Sequence, residues 1–441
     1  MAEKRKLRIL VLSEPAWAEE NNTGNTLSNF FTGFPAEFAN IYFRPGKPNN
    51  RLCHRYFQVT DYMVLEHLLK RKPVGITWED DENAVETEDY EINESTSESF
   101  DQKARKHNSF YGMLMRELAW KLTTVDNKAM YSFIADFQPD VIYAPVYGNL
   151  RMTRIFSRIQ ERTGLPMVSL ISDDHYFPEP VKRTPLRLWY HYALQKSLKK
   201  MFLHIDYFLT MTQEQADAYE PLYGKPLDVI KKSAVIPYRA HVKHDVLRLI
   251  YGGGIYFGRE ETLIQVTAAV KELNAHGHRY ELHIFSGSNV TTEHLSVLND
   301  RVNSFFEGKI SYPELLKEYQ NSDIAVHAEG FDVESIEQVK LSFSTKIIDC
   351  LQSGAPVLCI ADESSAGARY LEREHSAVIV HDPSQIAEGI QEIDSHYDYW
   401  QKRAFECLEK NHSHEHNLEH LSAIFDSLMQ EKSCHENSSD Q

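Results

Sequence analysis

Val246-Leu247-Arg248-Leu249-Ile250-Tyr251-Gly252-Gly253-Gly254 is an apolar run that stops on three glycines. A short apolar run closed by a turn signal reads as a buried strand. Ile255-Tyr256-Phe257-Gly258-Arg259 then leads into a helical stretch expected from about 260 to 276. The chain opens in the same way. An apolar run at 7–12 is followed by Asn21-Asn22-Thr23-Gly24-Asn25-Thr26 and an apolar-periodic stretch at 27–34. The pattern that begins the chain therefore restarts at Val246.

Working outward, apolar runs and helical periodicity alternate on both sides of that restart. Before it, strands are expected at 38–43, 140–144, 166–171, 207–210 and 234–236. Helices are expected between them, over 110–137, 150–162, 186–203 and 213–223. After it come strands at 280–285, 302–306, 324–327, 357–360 and 377–380, with helices at 312–319, 345–351, 366–373 and 384–393. Such alternation implies a parallel sheet covered on both faces. The expected fold class is α/β: two Rossmann-like, doubly wound domains facing across a cleft. The first spans 1–238, with an acidic insertion at 79–108, and the second spans 245–395. The His-rich stretch 238–244 links them. A helical region at 396–430 is expected to cross back to the first domain, ahead of a disordered tail at 431–441.

Composition narrows the function classes. The 441 residues are 42% hydrophobic and 25% charged, with a formal net charge of -17. That balance is globular and lacks the broad basic footprint of a nucleic-acid binder. No run of about 18 apolar residues reads as a membrane span, and no signal peptide is read at the start. The five cysteines show neither metal-ligand spacing nor a disulfide framework. A reducing cytoplasm is the expected location. A basic and aromatic stretch at 183–202, including Arg183, Arg187, Trp189 and Lys196, would suit peripheral contact with the inner membrane face.

In an open parallel sheet, ligands bind beyond the carboxyl ends of the strands, where helix N-termini suit a diphosphate. Three loops qualify. Gly24 and Asn25 lie in the first, where glycine lets the backbone approach a ligand and Asn or Thr can cap a helix. Gly253, Gly254 and Arg259 form the second, offering exposed backbone N–H groups and a guanidinium suited to phosphate. The third is Ser344-Thr345-Lys346-Ile347-Ile348-Asp349. Ser344 and Thr345 can cap a helix there. Lys346 in its first turn opposes the helix dipole unless an anion binds. Asp349 follows at i+3 on roughly the same face. Neither a Walker loop nor a G-x-G-x-x-G fingerprint is present.

At these residues the chain resembles the GT-B fold glycosyltransferases, and most closely glycosyltransferase family 4, including enzymes of bacterial surface-polysaccharide assembly. The segments are SEPAWAEENNTGNTLSNFF, ANIYFRPGKPNNRLCHRYFQVT, QPDVIYAPVYGN, GLPMVSLISDDHYF, IYGGGIYFGREETL, FEGKISYPELLKEYQNSDIAV and, most specific, SFSTKIIDCLQSGAPVL. The resemblance implies transfer of a sugar from a nucleotide-diphosphate-sugar, with UDP the working choice, to the hydroxyl of a glycan or lipid-linked glycan. It implies retention of configuration and no cofactor, and the sequence has no clear Asp-x-Asp metal signature. It places Gly24 and Asn25 at the donor, Arg259 and Lys346 on its diphosphate, Asp349 on the ribose and Ile310 beside the base. Asp174 and Asp173, then His175, are the acceptor-side candidates for proton transfer. Two departures stand out. Leu341 falls where the first of two acidic residues is usual, and Glu261, Thr262 and Leu263 replace a Lys-Gly beyond the arginine. A nucleotide-sugar epimerase of the same fold and a non-catalytic nucleotide-sugar-binding subunit are the rival readings.

Overall fold

The computed structural model describes residues 5–79, 95–101, 109–180 and 182–439, with side chains to 431. By its internal contacts the chain forms two compact units. One comprises Met1–Thr210, Ala216–Asp228 and Leu418–Gln441, and the other Met211–Gln215 and Val229–Asn417.

The first unit is built on an eight-stranded sheet, β1 (Leu7–Ser13), β2 (Ala36–Tyr42), β3 (Cys53–Gln58), β4 (Ile76–Glu79), β5 (Val141–Tyr143), β6 (Met167–Ile171), β7 (Tyr207–Thr210) and β8 (Asp228–Val229), in the order β4-β3-β2-β1-β5-β6-β7-β8. From β3 to β7 every neighbouring pair is parallel, and only β4 is antiparallel to β3. Ile9 to Leu12 of β1 are fully buried, as a strand covered on both faces must be. The strands β3 and β4 are absent from the expected set. Their residues, CHRYFQ and ITWE, mix charged and aromatic side chains. Pairing at the sheet edge, rather than an apolar run, makes them strands.

The second unit holds six strands: β9 (Leu247–Gly252), β10 (Tyr280–Phe285), β11 (Ser304–Gly308), β12 (Ile324–Ala328), β13 (Val357–Ile360) and β14 (Val378–Val380). Their order is β11-β10-β9-β12-β13-β14, all parallel. Renumbered within the unit this is 3-2-1-4-5-6, the doubly wound order whose direction reverses between its first and fourth strands. Leu249, Tyr251, Val326, Leu358 and Leu263 are fully or almost fully buried in its core.

The α/β class with two parallel-rich, Rossmann-type sheets is therefore as expected. The long C-terminal helix is present too, as His414–Ser439. Phe425 on it packs against Phe34 of the first unit, ring centroids 5.4 Å apart. The expected single region 396–430 is two helices, Tyr397–Asn411 and His414–Ser439. The break falls at His412, a buried residue whose Nδ1 contacts the Lys232 carbonyl at 2.8 Å and whose Nε2 contacts the Tyr370 hydroxyl at 2.8 Å. The second helix also runs through most of 431–441, where a disordered tail is expected; 440 and 441 lie outside the described residues.

Much of the expected insertion at 79–108 also lies outside the described residues. Within it, 95–101 is helical and Ser97 is buried, its Oγ 3.0 Å from Thr60 Oγ1. The expected strand at 234–236 is absent, and the two-residue β8 lies just before it.

Candidate functional site

In the second unit, the carboxyl ends of β9 and β12 lie side by side at the point where strand order reverses. Gly252 ends β9 and Gly253-Gly254 follow it, and Glu329-Gly330 follows β12. Gly258 and Gly330 meet backbone to backbone: a Cβ on Gly330 would lie 2.7 Å from Gly258 Cα and 2.3 Å from the Phe257 carbonyl oxygen. That contact seats the start of the helix Arg259–Leu273 against the β12 loop. Arg259 then lies beside Glu329, with Nε donating at 2.7 Å and Nη2 at 2.6 Å to the same Oε2. Both residues are buried. Thr262 Oγ1 ties the two segments again by donating to the Glu329 carbonyl at 2.7 Å.

Lys346 reaches the same place from the third loop. Gly253 has φ +135, and a Cβ there would stand 2.1 Å from Lys346 Cε and 3.3 Å from its Nζ. The lysine stem therefore lies directly on the glycine backbone. Burial, with the Arg259 charge nearby, pushes the Lys346 ammonium down to about 8. His327 on β12 completes the cluster, its Nε2 3.3 Å from Glu329 Oε1. Burial holds its imidazole down at about 4, so it is neutral at pH 7. Arg259 thus pairs with Glu329, whereas Lys346 makes no ion pair among the described residues although the Glu329 and Asp349 charges both act on it, so Arg259, Lys346 and Glu329 together carry an excess positive charge at neutral pH.

The other candidates fall out differently. Asp349 is buried, and its Oδ1 accepts from Tyr312 Oη at 2.8 Å and Gln352 Nε2 at 3.1 Å, with Lys232 Nζ 3.8 Å away. Lys232, itself buried, was not anticipated in this group. Thr345 is the N-cap of the helix Lys346–Leu351 but makes no side-chain cap bond, so the capping expected of it is not found. Ser344 contributes a carbonyl instead, accepting from Ile347 N at 3.1 Å. Gly254 packs against Tyr256, and Ile310 is half-buried ahead of the helix Tyr312–Gln320. Of the three residues replacing the Lys-Gly, Leu263 is in the core and Thr262 is bound to Glu329.

Glu329 is the residue sequence reasoning missed. A fixed spacing back from Asp349 lands on Leu341, which has no carboxylate. The loop after β12 instead holds the helix Val333–Val339, and the carboxylate that meets Arg259 is Glu329 at the start of that loop. The available signal was Glu329-Gly330 directly after the apolar strand.

In the first unit, Gly24 sits inside the helix Asn22–Phe31 and not in a preceding loop. Asn21 is its cap, accepting from Gly24 N at 2.8 Å, so the helix starts about a turn earlier than expected. A Cβ on Gly24 would lie 2.1 Å from the Ala18 carbonyl oxygen, so the glycine answers to a neighbouring backbone. Asn25 Nδ2 donates to the Glu19 carbonyl at 3.4 Å. Asp174 is buried. Its Oδ1 accepts from Tyr219 Oη at 2.7 Å, Tyr176 N at 3.0 Å and Phe177 N at 3.1 Å, and so holds a turn. Asp173 is exposed, and His175 packs its ring on Gly148.

One group among the described residues has metal-ligand types close together: His241, His244 and Asp323. Both Asp323 oxygens already accept backbone bonds, from His244 N and Arg248 N at 2.8 Å each. Asp323 precedes β12 whereas Glu329 follows it, about 20 Å away along the strand. The group is no part of the Arg259 cluster.

Solved structures share this architecture along nearly the whole chain. An E. coli structure described as trehalose-6-phosphate bound with UDP-2-fluoro glucose matches at TM-score 0.60, 10% identity, over 96% of this chain and 99% of that one. The UDP-forming α,α-trehalose-phosphate synthase of Burkholderia xenovorans, in complex with glucose-6-phosphate, matches at 0.55 and 12%, over 96% and 100%. A glycosyltransferase from Rickettsia africae matches at 0.55 and 10%, over 96% and 99%. The fold is GT-B. No protein-family model and no curated protein sequence matches the chain. At these identities the likeness is one of fold, so the chemistry must be argued from the residues.

Proposed function

We propose that this chain is a glycosyltransferase that binds a nucleotide-diphosphate-sugar, UDP-linked in the first instance, and passes the sugar to a hydroxyl of a glycan or lipid-linked glycan. The observation that carries the reading is the excess positive charge of Arg259 and Lys346 over Glu329 at the switch point of a 3-2-1-4-5-6 sheet. A pyrophosphate is the ligand that would balance it. UDP is favoured because neighbours of the same fold are described as UDP-forming or UDP-sugar-bound.

In this reading, breaking the sugar–phosphate bond builds negative charge on the leaving diphosphate. Arg259, fixed by Glu329, and Lys346, laid on Gly253, stabilise that charge without rearranging. The anomeric carbon develops oxocarbenium character. Two fixed cations can serve this leaving group without a metal, and we take the reaction as metal-independent and retaining. Asp349 is the proposed ribose contact through the oxygen opposite its Tyr312 bond, with Ile310 beside the base. For the acceptor proton, Asp173 and His175 are better placed than Asp174, whose Oδ1 already takes three donors. A non-catalytic binding role draws less support than the sequence suggested, because its motive was a missing carboxylate and Glu329 supplies one.

The test is a thermal-shift panel of nucleoside diphosphates and their sugars, since a ligand that binds the native state raises its melting temperature. A shift with UDP or UDP-sugars, lost in Lys346→Ala, is the expected result. No shift with any nucleoside diphosphate would remove the reading. Isomerisation of a labelled donor without transfer would replace it with an epimerase.

A further inference from the structure

The first unit carries a groove of about 900 Å³ between the helices Phe110–Leu122 and Pro185–Phe202. Its walls are apolar, with Leu114, Leu118, Trp189, Leu203 and Leu222 among them. These are not all core residues: Trp189 is 58% and Leu203 82% exposed. Next to them the same helices expose Met115, Leu122 and Tyr192. An open apolar patch of this extent marks a surface that something covers.

Charge says what covers it. The chain as a whole has a net charge of -17. The charged residues lining the groove reverse that sign: Lys121, Arg154, Lys196, Lys199 and Lys200 against Glu117 alone. Glu117 is buried and already paired to Arg151 at 3.0 Å, so it faces the groove with little charge to spare. Arg154 is half-buried and lines the groove, and neither a hydrogen bond nor an ion pair engages its guanidinium among the described residues. Apolar walls with a cationic rim match an amphiphile with an anionic head: chain against Leu118 and Trp189, phosphate against Arg154 and the lysines. The expected face at 183–202 is refined by this. Tyr190 and Phe202 turn into the core, Arg183 pairs with Glu179, and Arg187 lies 4.3 Å from the Phe110 ring.

We infer that this groove docks the protein onto a bilayer rich in anionic phospholipid, taking a lipid phosphate at Arg154 and burying Trp189 at the interface. The inference stands on the first unit alone. Donor binding in the second unit can fail without touching it, and the reverse.

The full chain is mixed with phosphatidylcholine vesicles containing brominated acyl chains, with and without phosphatidylglycerol, and recovered by flotation. Binding is expected with phosphatidylglycerol, more than tenfold weaker without it, and weaker again at high salt. Arg154→Ser should lower partitioning about fivefold. Bromine should quench tryptophan fluorescence in the wild type and not in Trp189→Phe, because Trp17 and Trp120 are buried and Trp78 and Trp400 partly so. Unchanged thermal melting of both variants separates surface loss from misfolding. Equal binding to neutral and anionic vesicles, absence of binding, or quenching that survives in Trp189→Phe would overturn the inference. So would tight binding of polyglutamate by protein that ignores vesicles, which points instead to an acidic protein partner.

Discussion

Each unit sets a charged cluster at the carboxyl end of its first strand, and the two clusters are built to opposite plans. In the first, Glu14 follows β1 and takes Arg44 at 3.0 Å, Asn149 at 3.3 Å and Arg151, which in turn holds Glu117 at 3.0 Å. Two guanidinium groups meet two carboxylates, and both Glu14 and Arg151 are buried. Burial raises the Glu14 carboxyl, but Arg151 and Arg44 outweigh it and hold it below its usual range. In the second, Arg259 takes Glu329, but Lys346 makes no ion pair among the described residues, and burial beside the Arg259 charge pushes it down. A balanced buried network spends its charge on the fold. An unbalanced one at a sheet switch point has charge left for a ligand.

The contrast breaks most easily at Arg151. Arg151→Met leaves Glu117 without its cation in the interior and Glu14 with Arg44 alone, and should cost ~3–5 kcal/mol of stability by urea unfolding. Where the variant folds, its affinity for UDP should be unchanged. Wild-type stability combined with lost UDP binding would reverse the roles of the two clusters. Lys346→Ala should do the opposite. It should lose ~1.5–3 kcal/mol of UDP affinity by calorimetry, the range for a hydrogen bond to a charged group, with little change in melting temperature.

The lysine also makes a pH signature. The free site gives up its proton as pH rises through about 8, while a diphosphate favours the ammonium. UDP binding should therefore take up a proton near that pH and weaken from pH 7 to 9, by at most about tenfold per unit. Without ligand the sign is opposite. The unfolded lysine holds its proton to higher pH, so this group makes the fold more stable as pH climbs from about 8 towards the ordinary lysine range. Lys346→Arg should flatten both trends. The smallest effect is expected at Asp174→Asn. An acceptor remains at Oδ1, the loss should stay below ~1 kcal/mol, and turnover should hold, whereas His175→Ala or Asp173→Asn should slow it.

The repeated strand–glycine–helix plan, the α/β class and two of the three charged residues in the second-unit cluster are legible in the order of residues alone. Those features are local: an apolar strand, the glycines that stop it, and a cation in the first turn of a helix are all visible within a few neighbouring residues. The partners of these residues come from folding. Glu329 reaches Arg259 across 70 residues of chain because β9 and β12 are neighbours in the sheet, and no periodicity records which strands pair. The same holds for Asp174, whose exposed-looking Asp-Asp-His setting conceals a bond to Tyr219 from a distant helix. It holds for β3 and β4, whose mixed side chains become a sheet edge only once β2 is beside them. Side-chain chemistry and spacing are written along the chain. The balance of charge in a buried cluster depends on what packing brings next to it.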